Sequence, residues 1–302
     1  MARDKYSHPV KAWWIRLGWR LMGRLPLVWI QRLGQWAGRL TWRFSERERH
    51  VSQVNVELCF PHKTPWERDQ LARSALIESA KTMLEMGRMW LAPPQKLLKS
   101  VVKVEGYEVI AQLQAEQKPV ILLGPHIGQW EIISLWFAQR HPFMAMFAPS
   151  KVRELDPLIK SGRERTGARL VPTDVKGVAA LLKSLKKGGA VGILPDQEPD
   201  AGQGGVFAPF FGVPALTATL LPKLVSRTQA QVFTALARRL PNGQGYELIF
   251  EPADARVYAE DEQVAAAGVN ASVEALIAHA PSQYQWAYKR FRQRPEGESK
   301  VY

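Results

Sequence analysis

The sequence predicts an α/β fold: a mixed, largely buried central sheet flanked by helices, with an N-terminal membrane-associated helix in front of it. Three observations predict it. Short apolar runs alternate with helical periodicity from about residue 100 onward, a capped amphipathic helix precedes them, and the first 50 residues are basic and rich in tryptophan. With 302 residues, 46% of them hydrophobic, the chain can bury a sizeable core in one large domain. Cys59 is the single cysteine, which excludes a disulfide framework, a Cys-based zinc site and a CxxC redox pair, and fits a reduced compartment. Six histidines without an HExxH give no support to a metal site, so no metal is expected.

Of the net charge of +13, a large share is local: residues 1–50 hold eleven Lys and Arg against three Asp and Glu, a balance of +8. Trp13, Trp14, Trp19, Trp29, Trp36 and Trp42 interleave there with Arg16, Arg20, Arg24, Arg32, Arg39 and Arg43. Amphipathic rings beside guanidinium groups suit the headgroup layer of an anionic membrane. A spanning helix needs about 20 mostly apolar residues, and the longest apolar run, 25–30, contains Pro26 and is closed by Gln31 and Arg32. The expectation is an interfacial helix on the cytoplasmic side, with no cleavable signal peptide. Two other readings stand: an ordinary helix packing its rings on the body, and nucleic-acid binding, for which no helix-turn-helix, zinc-finger or RNP-type motif appears. Residues 1–50 thus read as a membrane-associated segment and 51–302 as the catalytic domain.

Thr64-Pro65-Trp66-Glu67 reads as a capping box with proline at the first helical position. The helix it opens places Leu76, Ala80, Met83, Leu84, Gly87 and Leu91 on an apolar stripe and stops at Pro93-Pro94. Strands follow at 101–104, 120–123, 143–147, 169–171, 191–194, 231–237 and 246–251. Helices lie near 107–116, 130–140, 154–166, 174–187 and 261–280. The stretch 205–212 is apolar but reads as a loop.

The most informative segment runs from Val120 to Glu131, where a buried-looking strand ends in Gly124-Pro125 and delivers His126 to the start of a helix. Sites of α/β folds lie at such strand ends. On a regular helix, His126 and Glu131 would point about 140° apart, so they meet only if His126 lies on the turn. In that case a carboxylate on one imidazole nitrogen leaves the other to take a proton from a hydroxyl, a general base with its orienter. A structural hydrogen-bonded pair is the alternative. No GxSxG is present, so the base would activate a substrate hydroxyl rather than an enzyme nucleophile. Backbone N–H groups of 127–129 are candidate oxyanion donors.

Gly-Pro-His-x4-Glu after a strand resembles the HX4D/E motif of glycerolipid-type acyltransferases. The wider pattern is similar to the late lipid A acyltransferases, the lauroyl/myristoyl transferase family. It includes Phe147-Ala-Pro-Ser-Lys with Gly162-Arg163-Glu-Arg165, Leu194-Pro-Asp196-Gln197-Glu, 205–212, Arg238-Arg239 and 284–297, over most of the chain. The resemblance implies a glycerolipid acyltransferase-like fold. It implies transfer of a fatty acyl chain from acyl-acyl carrier protein, with no further cofactor, to a hydroxyl on an acyl chain of a Kdo-bearing lipid A precursor. Acyl carrier protein, the precursor and anionic lipids of the inner membrane are the implied partners, at the cytoplasmic face. His126 is then the base and Glu131 its partner.

Arg163 and Arg165 are candidates to bind substrate phosphate bidentately, but two residues apart they cannot share a helical face, and Arg163 is preferred. Asp196 and Gln197 match a further substrate-binding block, with turn chemistry as the alternative. Phe207, Phe210 and Phe211 could line an acyl groove or simply be core. The basic run Lys289, Arg290, Arg292 and Arg294 could dock acidic carrier protein or lie solvated. A lysophospholipid acceptor, or a non-catalytic peripheral membrane protein, are the competing functional readings.

Overall fold

A computed structural model describes residues 8–199 and 203–302. Residues 1–7 of the predicted membrane segment lie outside the described residues. Two helices occupy the rest of that segment: α1 (Pro9–Arg24) and α2 (Leu27–Phe44), with a third, α3 (Glu46–Cys59), starting at its end. Pro26 makes the first break, because it forces extended backbone on Leu25 (ψ 149°). Among the described residues no helix is long and apolar enough to cross a membrane.

Helix α4 (Pro65–Leu91) opens with the predicted capping box: the Thr64 hydroxyl accepts from the Glu67 amide and the Glu67 carboxylate accepts from the Thr64 amide at 2.8 Å. It ends at Leu91, two residues before Pro93. α1, α2 and α3 all pack along it, and α1 approaches so closely that a side chain at Gly87 would collide with the backbone of Trp19. Being wrapped on several sides, α4 does not follow the expected single stripe. Met83 is exposed, whereas Thr82, Glu85, Arg88 and Trp90 are buried.

The helix α5 (Pro94–Leu98) leads into a seven-stranded sheet. Its members in chain order are β1 (Val101–Glu105), β2 (Val120–Leu123), β3 (Phe143–Phe147), β4 (Arg169–Pro172) and β5 (Ala190–Ile193), with two more after a hairpin. That hairpin, β6 (Gly205–Phe210) and β7 (Val213–Ala218), is a separate two-stranded antiparallel sheet closed by Phe211 and Gly212, both at positive φ, as a two-residue hairpin turn requires. It replaces the loop expected over 205–212. Pro209 and Pro214 face each other across it, and such prolines mask a strand in sequence because they are tolerated only in edge pairings of this kind. β8 (Gln231–Arg239) and β9 (Tyr246–Pro252) then complete the order β1-β9-β8-β2-β5-β3-β4. Every pairing is parallel except β8 with β9, so the sheet is mixed, as expected.

Helices α6 (Tyr107–Ala115), α7 (Glu131–Ala138), α8 (Asp156–Glu164), α9 (Val175–Leu185) and α10 (Leu220–Thr228) link the strands, and α11 (Glu262–His279) follows β9. All four residues of β2 are buried. Val120 and Leu122 enter the core shared with α4 and α7, while Ile121 and Leu123 enter the core shared with α9 and α10. A strand covered on both faces shows a continuous apolar run instead of alternation.

Candidate active site

β2 lies between β5 and β8, so its carboxyl end sits where loops from both sides converge. The parallel register pairs Leu123 with Ile193. Three residues beyond each partner stand His126 and Asp196, and they meet. Asp196 Oδ1 lies 2.9 Å from His126 Nδ1, and Asp196 Oδ2 accepts the His126 backbone N–H at 2.9 Å. Gln197 Nε2 lies 3.3 Å from His126 Nε2. Asp196 is buried, and burial alone would raise its pKa. The neighbouring His126 and the hydrogen bonds from its ring and backbone overcome this and hold the carboxyl below its ordinary range. With Nδ1 committed to a carboxylate, Nε2 is the nitrogen left for proton transfer.

This corrects the expected pairing. His126 does lie on the turn, with Gly128 at φ +61° taking the left-handed conformation that lets the chain enter α7. Glu131, the first residue of α7, nevertheless turns away to other partners. Arg163 of α8 donates through Nε to both of its oxygens, at 2.9 and 3.1 Å, and through Nη2, and Trp90 of α4 donates through Nε1 at 3.0 Å. Burial would raise the Glu131 pKa, but the Arg163 charge and the bonds from Arg163 and Trp90 hold it below the ordinary carboxylate range. Arg163 is correspondingly raised against its own burial. Trp90 was not legible in sequence. Its indole stacks edge-on against Trp19 at 4.8 Å, so α1 packs directly behind the Glu131 partner.

The two arginines separate as their spacing requires. Arg163 points into the site and remains 27% exposed. Arg165 donates to the carbonyls of Met89 and Ala92, capping the end of α4. Beside Arg163, Glu131 and Trp130 opens an apolar cleft between α7 and the sheet, lined by Leu122, Ile133, Ala145, Ala168, Leu170 and Ile193 among others.

Three further groups of candidate residues take the following places. Phe207, Phe210 and Phe211 do not line this cleft. Phe210 is 1% exposed, with Phe211 packed against it and the Arg290 guanidinium over its ring, and Phe207 is half-buried on the hairpin. The N–H groups of Ile127, Gly128 and Gln129 donate to the carbonyls of Pro125, Gln283 and Ala237, so they are not oxyanion donors. Within the C-terminal basic run Arg290 is buried, Lys289 and Arg294 are half-buried and Arg292 is exposed. Arg290 donates to Leu216, Thr217 and Asn270, Arg292 pairs with Glu198, and Arg294 donates to the Pro214 carbonyl.

No group of three or more His, Cys, Asp or Glu side chains among the described residues is placed to hold a metal ion. Behind the His126 turn, buried Arg239, Glu85 and Gln129 form a cluster with half-buried Glu78 that sequence reasoning missed. The available signal was Glu78, Thr82 and Glu85 at i, i+4 and i+7, a polar line on one face of α4.

The family model described as Bacterial lipid A biosynthesis acyltransferase matches residues 2–293. Similar proteins include the lipid A biosynthesis lauroyltransferase of Escherichia coli K12, 32% identical over 94% of this chain and 92% of that protein. The lipid A biosynthesis palmitoleoyltransferase of the same organism is 31% identical, covering 99% of this chain and 97% of its own length. The lipid A biosynthesis myristoyltransferase is 26% identical, over 98% and 92% respectively. With a histidine anchored at a strand end beside an apolar cleft, and with likeness that spans the whole chain, the protein belongs to the bacterial lipid A biosynthesis acyltransferase family and is an acyltransferase.

Proposed function

We propose that the protein transfers a fatty acyl chain from acyl-acyl carrier protein to a hydroxyl of an acyl chain on a Kdo-bearing lipid A precursor. The observation that carries this reading is the His126–Asp196 pair, whose imidazole packs at 4.8 Å against Trp130, a residue of the apolar cleft. Asp196 keeps the proton on Nδ1, so Nε2 takes the proton of the acceptor hydroxyl as its oxygen attacks the thioester carbonyl carbon. The tetrahedral intermediate collapses with cleavage of the C–S bond. The leaving thiolate then recovers the proton from the imidazolium, which Asp196 has stabilised in the interval. The product is an ester, with no covalent enzyme intermediate. Gln197, beside Nε2, orients the incoming hydroxyl. Glu131 acts by holding Arg163, whose guanidinium at the cleft mouth suits a phosphate of either substrate. The cleft takes the acyl chain.

Placement at the cytoplasmic face of the inner membrane is part of this reading, and α1 and α2 support a membrane-surface location. Trp13, Trp14, Trp29 and Trp36 are each more than half exposed, and Arg20, Arg24, Arg32, Arg39 and Arg43 stand exposed on the same two helices. The test is transfer of a radiolabelled acyl group by purified protein in detergent, to the Kdo-bearing precursor and, separately, to a lysophospholipid, each beside His126→Ala. Product on the precursor alone, lost in the variant, supports the proposal. Product on the lysophospholipid alone reassigns the acceptor, and product undiminished in His126→Ala refutes the base. Flotation with anionic liposomes, weakened by high salt and by replacing the four exposed tryptophans with serine, tests the membrane placement.

A further inference from the structure

A deeply buried pair of charges lies behind the His126 turn. Arg239, the last residue of β8, has a side chain only 2% exposed and faces two carboxylates of α4. Nε donates to Glu85 at 2.8 Å, Nη2 donates to Glu85 at 2.9 Å, and Nη1 donates to Glu78 at 2.8 Å. Glu85 is completely buried. Taking such charges out of water is expensive, and apolar residues of similar volume serve stability as well or better. Stability alone therefore gives no reason for the cluster to be charged.

Its contacts point to another role. Glu85 accepts from Gln129 Nε2 at 2.9 Å, and Thr82, which also accepts from Arg239, donates to the Gly128 carbonyl at 3.0 Å. The Arg239 backbone is bonded in both directions to the Gln283 side chain, at 2.8 and 3.0 Å, while the Gln283 carbonyl accepts the Gly128 N–H at 3.0 Å. Residues 128 and 129 are thus gripped from α4, from β8 and from residue 283. His126, two positions earlier, is held from the opposite side by Asp196. From α2, Gln31 reaches the same Glu85 at 3.4 Å.

We propose that Glu85 and Arg239 are positioning residues for acyl transfer. Their buried pair fixes the Gly128–Gln129 backbone and so sets the angle at which His126 Nε2 meets the acceptor hydroxyl, without touching substrate. This rests on His126 being the base, as proposed above.

The test compares Glu85→Gln, Arg239→Met and the double variant Glu85→Leu with Arg239→Met. Each single change strands a buried partner and lowers the melting temperature. The double change removes both charges, and Glu78 keeps Lys81 as a partner, so the melting temperature returns toward native. In that double variant kcat stays about 100-fold down, the loss expected from a displacement on the order of 1 Å, with KM little changed. Hydrogen exchange of peptides over 124–131 quickens, while the rest of the chain exchanges as in the native protein. A double variant that recovers kcat along with its melting temperature, or that exchanges normally over 124–131, overturns the proposal and leaves the pair a packing feature. Native protein that transfers to neither acceptor overturns the functional reading instead, and the exchange pattern then decides the positioning by itself.

Discussion

Replacing Asp196 with asparagine separates the orienter seen in the structure from the one nearest in sequence. The carboxylate receives two hydrogen bonds from the same residue, one from the His126 backbone N–H and one from ring Nδ1, each at 2.9 Å. The backbone N–H can only donate, so the asparagine carbonyl must face it, and the amide NH₂ is then left facing Nδ1. Nδ1 becomes an acceptor, the proton moves to Nε2, and the nitrogen that should take the substrate proton is occupied. The charge is lost as well. Unit charges about 4 Å apart at an effective dielectric of about 20 interact by about 4 kcal/mol, which equals roughly three powers of ten in rate at about 1.4 kcal/mol per tenfold. Asp196→Asn is therefore expected to lower kcat by about 10³-fold or more, comparable to removing a general base, with KM close to native. The assay is acyl transfer to the Kdo-bearing precursor, with the melting temperature followed in parallel. Activity within tenfold of native in a folded Asp196→Asn protein would refute the assignment of Asp196 as the residue that sets the tautomer.

Glu131→Gln weakens an ion pair and leaves Arg163 without its counter-charge. We expect a loss of about 3 kcal/mol, at the lower end for a buried pair because Arg163 is 27% exposed, measurable by urea denaturation. Since folding lowers the pKa of Glu131, its contribution to stability is full above its unfolded value near 4.3 and is lost as pH falls through the folded value. Glu131→Gln should thus flatten the acid limb of the stability profile below about pH 4 relative to native protein. Gly128→Ala must place a Cβ against the Ala237 carbonyl at φ +61°. It should cost more than about 1–2 kcal/mol, the left-handed penalty alone, whereas Gly212→Ala, at positive φ in open space, should cost only that penalty. Enlarging the cleft wall, Ala168→Leu or Ala145→Leu, should shift donor preference toward shorter acyl chains in competition between two chain lengths. Unchanged preference would place the chain elsewhere.

Much of this architecture was legible in the chain because it is local. Alternation of apolar runs with helical periodicity marks the strands, and a capping box marks α4 because its four residues bond to one another. Gly124-Pro125-His126 identifies a strand end from adjacent residues. The separation of Arg163 from Arg165 follows from helix geometry. Sequence could not reveal which carboxylate holds His126. Glu131 is five positions away and Asp196 seventy, and the parallel register of Leu123 with Ile193 brings the distant one into contact. The packing of α4 and α8 against α7 sets Trp90 and Arg163 on Glu131, and that of α4 against β8 joins Glu85 to Arg239. Helix caps and strand periodicity act over a few residues and were determined by the sequence. The partners of the ionised groups depend on strand register and helix packing between segments far apart in the chain, and these were decided by the tertiary structure.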